Sequence, residues 1–147
     1  MYESIVVGTD GSETSKRAVA EATRLGEVMG STVHVVSAYE PLRGTKIVGA
    51  PDAAAKIWSP RPDAQVETIV EQAVAGIRMR KVKVKSYTVT GDPADALLEV
   101  AEAQKADVIV VGNQGMHGVG RVLGSVPNKI SHRARCHVLI VATDDEG

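Results

Sequence analysis

Short apolar runs rich in β-branched residues alternate along the chain with segments in which apolar residues recur every three or four positions. The runs predict strands buried on both faces, because such strands read as continuous apolar stretches. The periodic segments predict amphipathic helices with one buried face. The predicted strands are 4–7, 32–38, 81–90, 107–111 and 138–141, and the predicted helices are 15–29, 64–76, one that begins at Asp92-Pro93, and 125–133.

The third predicted strand differs from the others because its apolar and polar residues alternate. Val82 and Val84 fall on one face, and Lys81, Lys83 and Lys85 fall on the other. Alternation predicts a half-exposed strand, and lysines at a sheet edge discourage pairing with another chain. We therefore expect this strand at an edge of the sheet.

The strict alternation of strands and helices predicts an α/β fold, with a single open parallel sheet and helices on both of its faces. A length of 147 residues suits one domain, 1–147, because two complete domains would not fit. Residues 40–63 interrupt the pattern with four prolines and two glycines. We expect a long flexible loop there.

Composition narrows the range of functions. A net charge of -1 and a sequence pI near 6.4 argue against a nucleic-acid partner, because nucleic-acid binders usually carry a basic excess. No apolar run approaches the ~20 residues that cross a bilayer, and no secretory signal is visible. We therefore expect no membrane partner and a cytoplasmic location. Cys136, the single cysteine, fits a reducing compartment.

Two glycine-containing segments follow apolar strands and carry the candidate chemistry. The first is Gly8–Ser12, after the first strand, and the second is 112–125, after the fourth. Glycine lets a backbone turn and bring its N–H groups close to a ligand. Ser125 is predicted to open the next helix as its N-cap, and the unpaired amides of a helix N-terminus bind anions such as phosphate. The spacing matches neither a P-loop nor the dinucleotide fingerprint.

The second segment resembles the ATP-binding signature of the universal stress protein family. The motif has the form Gly-x-x-Gly, a spacer and Gly-Ser-Val, at Gly112, Gly115, Gly124, Ser125 and Val126. The flanking segments that also agree with the family are 5–12, 91–94, 106–112 and 136–141. The resemblance covers the chain except residues 40–63. It implies a Rossmann-like fold, similar to adenine nucleotide alpha hydrolases, with strand order 3-2-1-4-5.

The resemblance implies an adenine-nucleotide site in the crevice between the first and fourth strands, where open α/β sheets bind ligands. Asp10, with Thr9 beside it, would lie near the ribose and phosphates, and Ala38 and Val111 would contact the adenine. The residues implied to wrap the ribose and phosphates are Gly112, Gln114, Gly115, Gly124, Ser125 and Val126. The implied ligand is ATP or a related adenine nucleotide. Mg²⁺ or Mn²⁺ would accompany it through the phosphates, near Asp10, and no site made by protein ligands alone is expected.

The last predicted strand is apolar at Val138, Leu139, Ile140 and Val141. In the strand order implied by the family, this strand lies at a sheet edge, and members of the family dimerise through it. The resemblance therefore implies a symmetric homodimer with antiparallel contact between the two last strands. One feature departs from the family, because eight residues rather than nine separate Gly115 from Gly124.

The predicted role is regulatory or protective in a stress response, with no catalytic residues. Three alternatives stay open: a nucleotide-free dimeric interaction module, a cyclic-nucleotide binder and a slow ATPase. The shortened spacer keeps the nucleotide-free module open, and no residue decides for or against a cyclic nucleotide. The sequence offers no general base beyond Asp10, so any hydrolysis should be slow.

Overall fold

Strands and helices alternate along the described parts of the chain, as the pattern of apolar residues predicts. The computed structural model describes residues 2–39, 62–113 and 124–142. The strands are β1 (Ser4–Gly8), β2 (Thr32–Tyr39), β3 (Lys83–Thr90), β4 (Val108–Gly112) and β5 (His137–Val141). The helices are α1 (Glu13–Met29), α2 (Pro62–Met79), α3 (Pro93–Ala103) and α4 (Ser125–Arg133).

The five described strands form one parallel sheet in the order β3-β2-β1-β4-β5. The predicted fold class and strand order are confirmed. The connection after β1 leads to β2 on one side, and the connection after β4 leads to β5 on the other. A switch of this kind opens a crevice at the carboxyl ends of β1 and β4.

Helices cover both faces of the sheet, and each layer encloses an apolar core. Ala18 and Ala22 of α1 pack with Ile77 of α2 on one face. Leu97 of α3 packs with Ile130 of α4 on the other face. The buried hydrophobic residues described in both cores are aliphatic, and Tyr2 and Tyr87 pack against them from positions that are only partly buried.

The helix ends follow the capping residues that the sequence contains. Gly30 ends α1 in the left-handed region (φ 71°), and its N–H donates to the Gly26 carbonyl at 2.8 Å. Asp92 is the N-cap of α3, with Pro93 as its first residue. Both predictions are confirmed, and both reflect ordinary capping chemistry.

Three details differ from the sequence prediction. α2 begins at Pro62, within the predicted loop, because proline suits the first helical position, where an N–H has no acceptor. The rest of that loop, 40–61, lies outside the described residues. β3 begins at Lys83, because Lys81 adopts a left-handed conformation (φ 61°) in the turn after α2. Val28 is an apolar residue of the amphipathic helix predicted over 15–29, but it lies outside the buried face and is 77% exposed.

The two edges of the sheet have different surfaces. β3 lies at one edge, as predicted, with exposed side chains at Lys83 and Lys85. β5 lies at the other, and its residues Val138–Val141 are only half-buried, whereas Val108–Val111 of neighbouring β4 are buried. β5 therefore presents an apolar edge that is open to pairing. Among the described helices, none is long and apolar enough to cross a bilayer.

Candidate functional site

A cleft opens at the carboxyl ends of β1 and β4, at the switch point of the sheet. Its floor comes from the strand ends, and its walls come from the β1–α1 turn and from the first turns of α3 and α4. The described residues that line it are Gly8, Thr9, Asp10, Ser12, Thr14, Ser15, Val36, Ala38, Pro93, Leu97, Val111, Gly112, Val126 and Pro127. Asp10 carries the one charged side chain among these described lining residues.

The β1–α1 turn is held by its own hydroxyl and carboxyl groups. The Thr9 N–H donates to the Val36 carbonyl at 2.9 Å, which fixes the turn to the end of β2. Gly11 takes a positive φ of 83°, a conformation that favours glycine. The Ser12 N–H donates to Asp10 Oδ1 at 2.9 Å, and the Ser12 hydroxyl caps α1 by accepting from Ser15 N–H at 3.1 Å. Ser12, not Asp10, is therefore the N-cap of α1.

Asp10 stays ionised at neutral pH. Burial by itself would raise the pKa of its carboxyl group, but hydrogen bonds from the Ser12 hydroxyl and N–H and from the Ser15 hydroxyl outweigh burial and lower the pKa. The carboxylate therefore brings a fixed negative charge to the mouth of the cleft. A phosphate beside it needs donors, or a cation shared with the carboxylate, to offset the repulsion.

The first turn of α4 forms the opposite wall of the cleft. The prediction of Ser125 as the N-cap is wrong, because Gly124 holds that position in extended conformation (φ −61°, ψ 165°) and makes no side-chain cap hydrogen bond. The first helical bond runs from Asn128 N–H to the Gly124 carbonyl at 3.0 Å. Since Pro127 has no N–H, the amides of Ser125 and Val126 are the first-turn donors without an intrahelical acceptor.

Leu97 of α3 supplies the apolar floor beneath the end of β1. A Cβ placed on Gly8 would lie 3.2 Å from Leu97 Cδ1, so glycine at position 8 allows this close approach. Pro93, Val36 and Ala38 extend the apolar part of the lining. The cleft therefore has an aliphatic section and a section of hydroxyls and helix amides.

Six of the ten predicted nucleotide-site residues line this cleft. They are Thr9, Asp10, Ala38, Val111, Gly112 and Val126. Gly124 and Ser125 lie next to them, at the start of α4. Gln114, Gly115 and the eight-residue spacer that follows them lie outside the described residues.

The sequence analysis missed several lining residues, and only some had a detectable signal. Val36 lies two positions before Ala38 on β2, so strand alternation could have placed both on one face. The hydroxyls of Ser12, Thr14 and Ser15 follow the first turn directly. The residues that reach the cleft only through packing of α3 and α4 are Pro93, Leu97 and Pro127.

Histidines and acidic residues form no metal cluster in the part of the chain that the structure describes. His34 is buried away from the cleft, and its Nδ1 lies 2.8 Å from the Tyr87 hydroxyl. Burial, together with the positive charge of Lys85, lowers the pKa of His34, so the ring packs as a neutral group.

The model of the universal stress protein family matches residues 1–142 of the chain. The chain belongs to the universal stress protein family. Universal stress protein Rv1636 of Mycobacterium tuberculosis H37Rv is 35% identical over 147 residues, with 97% of each chain covered.

Two solved structures show the same fold as this member of the family. One is a universal stress protein in complex with cAMP, which is 33% identical, with a TM-score of 0.77 and coverage of 97% of this chain and 98% of that one. The other is protein MJ0577, which is 22% identical with a TM-score of 0.82 and 99% coverage of both chains, and it supports the fold alone.

Proposed function

We propose that this universal stress protein binds an adenine nucleotide in the cleft between β1 and β4 and acts in the stress response through that occupancy. The observation that carries the proposal is the start of α4. Two helix amides, those of Ser125 and Val126, have no intrahelical acceptor and no side-chain cap from Gly124, and Val126 lines the cleft. A helix N-terminus of this kind favours a phosphate.

The aliphatic part of the cleft suits the base. Val36, Ala38, Leu97 and Val111 line it together, and Val36, Leu97 and Val111 are buried. No aromatic ring is among the described lining residues. Adenine would therefore be held by van der Waals contact with aliphatic groups and by removal of its apolar faces from water.

The polar part of the cleft suits ribose and phosphate. Thr9, Ser12, Thr14 and Ser15 offer hydroxyls on one wall, and the amides of Ser125 and Val126 offer donors on the other. The ionised Asp10 would repel a bare triphosphate but would favour a divalent cation carried by the phosphates. We propose Mg²⁺ or Mn²⁺ with ATP, near Asp10, because one carboxylate plus phosphate oxygens is a donor set that these hard cations accept.

Cyclic AMP is the second candidate ligand. A relative that is 33% identical was solved in complex with cAMP. Cyclic AMP carries a single negative charge and needs no metal to approach Asp10, so the charge of the cleft is compatible with it. The two candidates differ in their dependence on divalent cations.

Titration calorimetry with ATP, AMP and cAMP, each with and without Mg²⁺, tests the proposal. We expect saturable binding of at least one of these ligands below about 1 mM, with ATP binding tightened by Mg²⁺ and cAMP binding insensitive to it. Absence of binding by all three up to millimolar concentration would overturn the proposal and favour an interaction module without nucleotide.

Asp10→Asn is the matched variant for the metal. Asparagine keeps an oxygen that can accept the Ser12 N–H bond, so the turn should survive while the charge is lost. We expect Asp10→Asn to lose most of the Mg²⁺ effect on ATP affinity and to leave cAMP affinity unchanged or tighter. An undiminished Mg²⁺ effect would show that the cation does not contact Asp10.

We also propose a homodimer through antiparallel pairing of β5. Support comes from the half-buried apolar residues of this edge strand, which contrast with the lysines of β3. Light scattering coupled to size exclusion should give about twice the 15.5 kDa chain mass. A monomeric wild-type protein at micromolar concentration would refute the dimer.

The cytoplasmic location and any slow hydrolysis of ATP stay predictions. Comparison of nucleotide turnover with nucleotide affinity in Asp10→Ala would separate hydrolysis from binding.

A further inference from the structure

Lys129 lies one turn into α4 and connects the two helices whose first turns form walls of the cleft. Its Nζ lies 2.9 Å from Asp95 Oδ1 and 3.3 Å from Asp92 Oδ2. Both carboxylates belong to the start of α3, Asp92 as its N-cap and Asp95 in its first turn. Arg133, one turn further along α4, lies 3.7 Å from Asp95 Oδ1.

The α3 end of this connection is fixed to the sheet. Gly91 N–H donates to the Tyr39 carbonyl at 2.8 Å, which ties the residue before the N-cap to the end of β2. The Asp92 carboxylate also accepts the Asp95 N–H at 3.1 Å. The hydrogen bond within its own helix therefore orients the Asp92 carboxylate independently of Lys129. Asp92 can thus serve as a fixed partner for the Lys129 amine.

On the α4 side, the ion pairs of Lys129 lie one turn after the amides that have no intrahelical acceptor. Ser125 and Val126 precede Lys129 by one turn, and Gly124 gives that turn no side-chain cap. On the inner side, Pro127 and Ile130 are buried against the core and hold the helix to the sheet. Lys129 is 33% exposed and links the rim of α4 to α3, outside the apolar contact that Ile130 shares with Leu97 of α3.

We infer that Lys129 is a positioning residue of the nucleotide cleft, because its amine ties α4 to the start of α3 and thereby holds the amides of Ser125 and Val126 where a phosphate binds. The inference rests on the proposed nucleotide function and deepens it. The amine of Lys129 points to Asp92 and Asp95, neither of which is among the described residues that line the cleft. Its effect should therefore fall on the phosphate and not on the base.

Lys129→Met tests this role, because methionine keeps most of the stem and removes the amine. Calorimetry with AMP and with adenosine separates phosphate from base. We expect Lys129→Met to weaken AMP binding about fivefold, the most that loss of a partly exposed ion pair can transmit to the ligand, and to change adenosine binding by less than about twofold. Lys129→Arg should recover AMP affinity to within about twofold of the wild-type value, because it restores a cation at the same place.

Arg80→Met is the matched control. It removes a comparable ion pair, Arg80 Nη2 to Glu27 Oε1 at 2.8 Å, which lies between the turn after α2 and α1 and away from the cleft. We expect neither AMP nor adenosine affinity to change. Ion pairs at the surface contribute little to folding stability, so Lys129→Met, Lys129→Arg and Arg80→Met should all fold.

A double variant separates position from charge. Asp95→Asn/Lys129→Met restores the charge balance of the cluster without restoring the connection between the helices. Positioning predicts that AMP affinity stays low in the double variant, and that amide exchange at Asn128 in the ligand-free protein is about fivefold faster in Lys129→Met than in the wild-type protein.

Recovery of AMP affinity in the double variant would overturn the positioning role, and so would equal losses for AMP and adenosine in Lys129→Met. These outcomes leave the proposed function standing. A wild-type protein that binds neither AMP nor adenosine would overturn both.

Discussion

The first turns of α3 and α4 both border the cleft, but the N-termini of the two helices are capped differently. α3 is closed by a carboxylate, since Asp92 accepts the Asp95 N–H, and Pro93 has no N–H to offer. α4 is left open by Gly124, which has no side chain to cap the amides of Ser125 and Val126. The proposed phosphate would therefore meet amides without an intrahelical acceptor at α4 and a negative charge at α3, although both helix dipoles point positive ends toward this region.

In the proposed function, a glycine before α4 leaves room for a phosphate at these amides. Asp, Asn or Ser at an N-cap stabilises a helix relative to glycine, but only by a few tenths of a kcal/mol. The same side chain would occupy the place of a phosphate. Substitutions at the two N-cap positions, Gly124 and Asp92, test this difference.

Gly124→Asp should have the largest effect, because it closes α4 in the way that Asp92 closes α3. The φ of −61° at Gly124 suits any residue, so no backbone strain is expected. We expect AMP affinity to fall on the order of 100-fold, through loss of the amide donors and repulsion by the new carboxylate. Calorimetry measures the affinity, and thermal unfolding should show unchanged or slightly raised stability.

Gly124→Ala controls for the loss of glycine itself, since alanine adds no cap and no charge. It should bind AMP within a few-fold of the wild-type affinity. Equal binding by Gly124→Asp and the wild-type protein would mean that the start of α4 is not the phosphate site.

Asp92→Ala should have the next largest effect, because it opens α3 without creating a phosphate site. We expect the free energy of unfolding to fall by about 1 kcal/mol, the usual cost of removing an N-cap side chain. Urea unfolding measures the change. Asp92→Asn, which keeps a capping oxygen, should lose less, and an equal loss in both variants would show that charge pairing with Lys129 matters more than capping.

The smallest expected effect is on the pH dependence of the free energy of unfolding, to which Asp92 contributes. The Asp95 N–H, together with Lys129, holds the pKa of Asp92 below its usual value despite partial desolvation. Because the folded-state pKa is the lower one, its stabilising contribution is present above the unfolded pKa of about 3.9 and is lost as pH falls through the folded-state value. Urea unfolding between pH 5 and pH 2.5 should show a smaller loss in Asp92→Asn than in the wild-type protein.

Asp107 also contributes to the pH dependence of the free energy of unfolding. The N–H groups of Glu3 and Ser4 lower its pKa, so it contributes the same sign of pH dependence in every variant. Gly124→Ala, which adds no carboxyl group, should follow the wild-type curve. A curve for Asp92→Asn that also follows the wild-type protein would remove Asp92 from the acid transition.

The order of elements was predictable because each segment carries its own periodicity and its own stop signals. Gly30 and Asp92-Pro93 are local signals, and both act where the sequence predicts. Lys81 shows the limit of such signals. It continues the alternation of the strand, but the chain needs a left-handed residue there to turn from α2 into β3, and periodicity does not report that need.

The site was predictable in part for the same reason. Gly112 ends β4 and Asp10 lies two residues after β1, so a parallel sheet brings them to one edge. Leu97 and Pro93 come from a helix that is distant in sequence, and their place depends on how α3 packs across β1. Ser125 was assigned as a cap because serine is a common N-cap, whereas the backbone angles give that position to Gly124.

The sequence by itself determined the α/β class, the sites of chain reversal and, through a family resemblance, the strand order. These follow from residue periodicity and from caps, which act over a few positions. The tertiary structure alone decided which helix start stays open, which residues of α3 line the cleft and which carboxylates Lys129 joins. Those outcomes depend on distances between segments that are far apart in sequence, such as the 37 positions between Asp92 and Lys129, and only packing against the sheet fixes such distances.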